Sequence, residues 1–473
     1  MSEFYTATDH FVLLPAIMLA LFGGAILLFE FLLGDGPRQR RWLVGLALAG
    51  LAFTARALWM QQSALNAGAP LVAFKGSLMV DGFSLLFNWI FLVTSAIVLL
   101  ISYRYLEIEN EHHGEYYGLV LLAQCGMFFL ACGNDLVTIF IGLETMALCF
   151  YIMVGFLRNE RRSNEAAMKY LLLGAFSSGF LAYGFSMLYG LSGSTNLRDI
   201  AAAIAERGAW DPLTFLALAT TSVGLFFKIS AAPFHMWAPD AYEGAPTTVT
   251  AYLSVGSKAA SFALLMRVLL GPFGDMAAMW RPVLIAVALI SLLVGNLAAI
   301  SQTNIKRLLA YSGVSHAGYM LLGLVAGNQT GLQGVAVYIL VYTFMNLGAL
   351  LVIVAMRREE ILGEDVDDLA GLMHRHPVYA IFMLVFLLSL AGIPPTAGFL
   401  GKWYIFLALI ETGHNVLAVV AALYVAVAIY YYFRIVRSMF MRDEAAPASA
   451  VPLAGSVGVR VALAVTGVLT LFA

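Results

Sequence analysis

About fourteen runs of roughly 20 apolar residues follow one another along this chain, separated by short polar turns. A run of that length crosses the hydrocarbon core of a bilayer as one helix, because a helix satisfies its backbone N–H and C=O groups from within. The runs lie near residues 11–33, 42–60, 79–103, 116–133, 135–157, 166–192, 213–236, 247–270, 281–301, 308–327, 332–356, 378–411, 413–434 and 453–473. Such a pattern leaves one fold class, an all-α polytopic membrane protein of about 14 transmembrane helices. Composition agrees, with 61% apolar and 11% charged residues, where soluble domains hold about 45–50% and 25%. The first run is not expected to be a cleaved leader, since Glu3 and Asp9 precede it and no basic flank does.

Lys and Arg in the turns set the orientation. Fifteen of them, among them Arg41, Arg104, Arg158, Arg162, Lys306, Arg307, Arg357, Arg358 and Arg437, fall on one side, and five, Lys75, Arg198, Arg207, Arg267 and Arg281, on the other. The first side is therefore expected to be cytoplasmic, and both termini periplasmic in a bacterial inner membrane. With short loops and no soluble domain, the lipid bilayer is the expected surrounding, and no nucleic-acid partner is. Cys125, Cys132 and Cys149 all fall inside apolar runs at spacings that fit no metal or iron–sulfur pattern, so they are read as core thiols. No glycine-rich nucleotide loop occurs.

Four ionisable residues resist this tidy partition. Glu144 is central in the fifth run, Lys258 in the eighth, and Lys228 and Lys402 sit beside proline breaks in the seventh and twelfth. Arg56, Lys169 and Arg460 lie close enough to run ends to snorkel. A charge at mid-bilayer costs about 2.5–3.5 kcal/mol, so the four together would cost about 10 kcal/mol unsatisfied. Structural ion pairing could absorb two of them but leaves two amines over, which favours a buried polar pathway. Lysine suits such a pathway. Burial disfavours its charged form and a nearby carboxylate favours it, so a shifting partner loads and unloads a proton, which arginine does not allow.

The breaks also reveal an internal repeat. Runs four to eight and nine to thirteen form two blocks of five, and the fourth member of each is broken by proline, at Pro233 and at Pro394-Pro395. Five is odd, so consecutive blocks lie inverted, the arrangement that marks a transport site. The expected division is 1–115 for helices 1–3, 116–270 for the first repeat, 281–440 for the second and 453–473 for helix 14. His235 follows the first break and His316 lies within the tenth run. Each is either a proton relay or a packing residue. Lys306 and Arg307 are read as topology determinants.

The stretches "GLFFKISAAPFHMWAPDAYEGAPTTVTAYLSVGSKAASFALL", "SQTNIKRLLAYSGVSHAGYMLLGL" and "LSLAGIPPTAGFLGKWYIF" closely resemble signatures of the antiporter-like membrane subunits of proton-translocating NADH:quinone oxidoreductase, complex I. That family is related to Mrp-type cation/proton antiporter subunits, which supply the alternative reading. Lysine at 402 in GFLGKW resembles the N-type branch, where the M-type carries glutamate, and the chain stops before the lateral helix of the L-type. The resemblance implies roles in proton translocation for Glu144, for Lys228 as its partner, for Lys258 at the centre and for Lys402 in the second half. It implies no cofactor in this subunit: NADH, FMN, iron–sulfur clusters and quinone are expected in partner subunits. Expected neighbours are the M-type subunit and the small K/J/A-type membrane subunits.

Overall fold

A computed structural model describes residues 5–33, 37–111, 113–208, 211–357, 363–442 and 457–472. Arg358 of the basic set lies outside the described residues. Among the described residues the fold is helical apart from one short hairpin. In order come α1 (Ala7–Leu33), α2 (Pro37–Asn66), α3 (Gly82–Ile108), α4 (Glu115–Cys132), α5 (Leu136–Val154), α6 (Arg161–Ser192), α7 (Leu197–Arg207), α8 (Pro212–Lys228), α9 (Trp237–Gly244) and α10 (Thr247–Tyr252). Then follow α11 (Lys258–Leu270), α12 (Ala277–Ile300), α13 (Ile305–Ala326), α14 (Gln329–Met356), α15 (Leu372–Arg375), α16 (Pro377–Ala391), α17 (Ala397–Glu411), α18 (Asn415–Met441) and α19 (Val457–Phe472). Counting α10, the turn after it and α11 as one, eleven helices among the described residues are long and apolar enough to cross a membrane. Pro212–Lys228, Pro377–Ala391 and Val457–Leu471 are shorter apolar helices.

Polar caps start the spans. Asp81 accepts the Ser84 N–H at 2.8 Å before α3, Asp135 accepts from Val137 and Thr138 before α5, and Asn304 accepts from Arg307 before α13. Each satisfies amides that the first helical turn leaves unpaired. Proline at the first turn of α8 and α16 has the same logic, since its missing N–H is not needed there.

The helices enclose a fully covered centre. α13 and α14 are buried on nearly every side, whereas α2, α6 and α18 show Trp42, Phe176 and Leu423 more than 60% exposed. A belt of this kind would aggregate in water, so its natural surrounding is lipid. On one face the hairpin of β1 (Leu71–Ala73) and β2 (Leu78–Val80) is pinned by Asn134 and Asn196, both donating to Gly76 O. The opposite face carries the arginine ties: Arg357 forks onto Glu109 at 2.5 and 2.9 Å, and Arg307 reaches Asp240 at 2.7 Å and Glu243 at 2.9 Å.

Both expected breaks are present. α8 ends at Lys228, the chain runs irregularly to α9, and Ser230 takes a left-handed φ of 59°. α16 ends at Ala391, Gly392 turns with φ 80°, and α17 starts at Ala397. A third irregularity was not expected. Leu253–Ser257, directly before Lys258, forms a π turn, a local widening that recurs at functional sites.

Candidate functional site: a buried line of amines

Lys228, Lys258 and Lys402 are all buried, at 4, 3 and 2% exposure, and among the described residues none of them is paired with a carboxylate. Lys402 Nζ donates to the carbonyls of Leu390 and Ala391 at 3.1 and 2.9 Å, which the end of α16 leaves free. Gly392 is required at this turn, because its φ is positive and a Cβ would meet Lys402 Cδ at 2.7 Å. Lys258 Nζ donates to Gly313 O at 2.7 Å across to α13. Lys228 Nζ has no hydrogen-bond partner among the described residues.

Glu144 does not touch Lys228. It is half-buried on α5 and accepts from Ser178 of α6 at 2.5 Å. The Glu144–Lys228 contact implied by the resemblance is thus not made in this arrangement. α6 presents small residues, Gly174, Ser177 and Ser178, where it passes α5 and α8. Four buried polar atoms there, Tyr151 Oη, Ser177 Oγ, Thr221 Oγ1 and Lys228 Nζ, have no hydrogen-bond partner among the described residues. Such a group is costly unless water or a mobile proton carrier completes it.

Between Lys258 and Lys402 lies a cluster of aromatic rings around His316. Lys258 Nζ lies 5.5 Å from the ring centre of Tyr342, which lies 5.1 Å from that of His316. His316 Nδ1 is 2.6 Å from Tyr338 Oη and its Nε2 is 3.2 Å from Tyr432 Oη, so both ring nitrogens are engaged. Beyond it, Tyr319 carries Lys402 Nζ 4.9 Å from its ring centre. His235 is placed differently. It stands half-buried at the first break, 6.2 Å from the Tyr311 ring, with Nδ1 buried and without a hydrogen-bond partner among the described residues. So His316 joins the line and His235 does not.

Lys306, read as a topology determinant, is 2% exposed and pairs with the buried Glu364 at 2.6 Å, a partner the sequence did not indicate. It also donates to Ala245 O at 2.9 Å, just past α9. Sequence offered one signal, a lysine one residue inside a helix start, and that signal is the same for a loop charge. Arg307 does sit at the surface. It shares Asp240 with Lys169 of α6. Burial pushes the Asp240 carboxyl up, and hydrogen bonds from Lys169 and Arg307 outweigh it and hold it below its usual value.

Among the described residues no group of three or more His, Cys, Asp and Glu could hold a metal, and the three cysteines are buried and unpaired.

Residues 133–429 match the family described as NADH:quinone oxidoreductase/Mrp antiporter, TM. The chain is 69% identical to NADH-quinone oxidoreductase subunit N 2 of Solibacter usitatus, over 99% of this chain and 95% of that protein. It is 52% identical to NADH-quinone oxidoreductase subunit N 1 of Koribacter versatilis, over 98% and 92%. Among solved structures it is similar to a chain of respiratory complex I from Thermus thermophilus with bound aureothin, with a TM-score of 0.79 and 34% identity over 97% and 96% of the two chains. A chain of the Mrp complex from Dietzia sp. shares the fold, with a TM-score of 0.82 at 22% identity over 99% and 94%.

Proposed function

Because the chain belongs to the NADH:quinone oxidoreductase/Mrp antiporter transmembrane family, among the N subunits of NADH-quinone oxidoreductase, we propose that it moves protons across the bacterial inner membrane within that complex. The protons pass along Glu144, Lys228, Lys258 and Lys402, and quinone reduction in partner subunits drives them. Two inverted five-helix repeats, 116–270 and 281–440, supply the two half-paths, within a bundle of fourteen spans whose termini are both periplasmic. Neighbouring membrane-arm subunits, the M-type and the small K/J/A-type, carry the drive to this chain by electrostatics.

One observation supports this most. Lys258 and Lys402 are solvated by backbone carbonyls, not by carboxylates. A carbonyl accepts from the ammonium but adds no fixed negative charge, so the amine can lose its proton without stranding a buried anion. Lysines locked in ion pairs would be structural; these are free to exchange. The Mrp-type alternative draws on the shared family and on a solved chain 22% identical, whereas the relatives at 69% and 52% identity are N subunits.

The test uses inverted membrane vesicles containing the complex, driven by NADH in sodium-free buffer. Proton uptake per NADH should fall in Lys228→Met, Lys258→Met and Lys402→Met vesicles while the assembled complex persists. Unchanged uptake in all three, or uptake that requires added sodium, refutes the proposal.

A further inference from the structure

A second polar path leaves the amine line and runs toward the arginine-bearing face. Its outer end is the Lys306–Glu364 pair. Glu364 Oε1 receives Lys306 Nζ at 2.6 Å and Thr247 Oγ1 at 3.3 Å. The pair borders a cleft of about 60 Å³ that is also lined by Glu109, Arg162, Glu243 and Arg357. Thr247 opens α10, and its N–H donates to Tyr105 Oη of α3 at 3.2 Å.

Inward from there the hydroxyls continue in rungs. Tyr116 Oη of α4 donates to Thr248 Oγ1 at 3.0 Å and lies 2.9 Å from Ser102 Oγ. Further in, Ser95 Oγ and Tyr252 Oη are 2.9 Å apart. Ser254 Oγ then accepts from Asn346 Nδ2 of α14 at 2.8 Å, and Lys258 follows one turn later. Ser95 and Ser102 are seven residues apart and share a face of α3; Thr248 and Tyr252 are four apart and share a face of α10. Two stripes of hydroxyls thus lie along one seam as separate hydrogen-bonded pairs, which water would have to join. At its inner end Asn346 Oδ1 and Tyr342 Oη are buried without hydrogen-bond partners among the described residues, at 1 and 2% residue exposure. Both suit a bridging water between Ser254 and the amine.

Resting on the proton-translocation reading above, we infer that this seam loads Lys258 from the arginine-bearing side, with Glu364 as its inlet. In one passage the Glu364 carboxyl releases its proton to the Thr247 hydroxyl. Each hydroxyl or water accepts a proton on oxygen and passes its own inward, and the neutral Lys258 amine becomes an ammonium. The Glu364 carboxylate left behind is held by Lys306 until the aqueous cleft reprotonates it. The π turn at Leu253–Ser257 serves this route, because the widened turn sets Ser254 and Lys258 on the seam together.

The test compares NADH-driven proton uptake, expressed per NADH oxidised, in inverted vesicles. Tyr116→Phe and Tyr252→Phe each delete one hydroxyl and keep the ring, so the bundle keeps its packing. Both should lower the ratio to the Lys258→Met value, and combining either with Lys258→Met should lower it no further. Glu364→Gln should match them, with Glu364→Asp recovering part of the loss; should Glu364→Gln fail to assemble, the two tyrosine variants decide. Parental ratios in both tyrosine variants, with Lys258→Met impaired, overturn the seam and leave the proton-translocation reading standing. A loss additive to Lys258→Met overturns it equally. A parental ratio in Lys258→Met itself refutes the underlying reading instead.

Discussion

Lys258 and Gly313 face each other so closely that the lysine amine occupies the place of a side chain on residue 313. Nζ donates to Gly313 O at 2.7 Å, and a Cβ on Gly313 would stand 2.8 Å from Nζ. Gly313→Ala should therefore displace the amine from its carbonyl without removing it. Proton uptake per NADH should fall toward the Lys258→Met level, with normal amounts of assembled complex on native gels. A fully coupled Gly313→Ala complex would show that this seat is dispensable.

Arginine in place of Lys258 separates relay from packing. A guanidinium can still donate to Gly313 O but does not release its proton. Lys258→Arg should assemble and fail to pump through this chain, as Lys258→Met does. Restored coupling in Lys258→Arg vesicles would make residue 258 a structural anchor.

Glu144 should act by charge, since the hydrogen bond it accepts among the described residues is from a neutral serine. Glu144→Gln keeps a carbonyl acceptor for Ser178 and removes the charge near Lys228. Uptake should drop sharply in Glu144→Gln and partly in Glu144→Asp, measured in sealed vesicles at matched assembly. Equal uptake in Glu144→Gln and the parent would take Glu144 out of the pathway.

The Asp81–Arg267 pair predicts a loss of stability and not of coupling. Asp81 caps α3 and also receives two Arg267 N–H groups, at 2.9 and 3.1 Å, while Arg267 Nε reaches Ala131 O. The Arg267 side chain is 9% exposed. Removing one member of such a pair costs about 3 kcal/mol, because the other charge is stranded. Asp81→Ala should lower the thermal aggregation temperature of the purified complex in detergent. The proton-to-NADH ratio of the surviving complex should match the parent.

Topology can be read with thiols. Asn159 stands among the arginine-rich turns and Ala67 at the other end of α2, and both are exposed. The native cysteines are buried, so single cysteines introduced at these sites report alone. In intact cells Ala67→Cys should react with a membrane-impermeant maleimide and Asn159→Cys should react only after lysis. The reverse pattern would invert the proposed orientation.

The sequence by itself determined the environment and the exceptions to it. Runs of apolar residues have no stable place outside lipid, so the spans were legible at once. Prolines without an N–H marked both breaks, and lysines at mid-run marked the amines, because burying a charge is costly wherever it is done. These are properties of single residues in a known solvent. What only the tertiary structure decided are the partners. Lys306 finds Glu364 58 residues away, and Ser95 finds Tyr252 157 residues away. Serine, threonine and tyrosine carry little penalty in an apolar helix, so nothing in the sequence distinguished those on the seam from those facing lipid. Gly313 likewise reads as any small residue until α13 is laid against α11. Hydrogen bonds act over about 3 Å, and the crossings that bring two helices to that distance are fixed by packing over the whole bundle, not by either stretch of sequence alone.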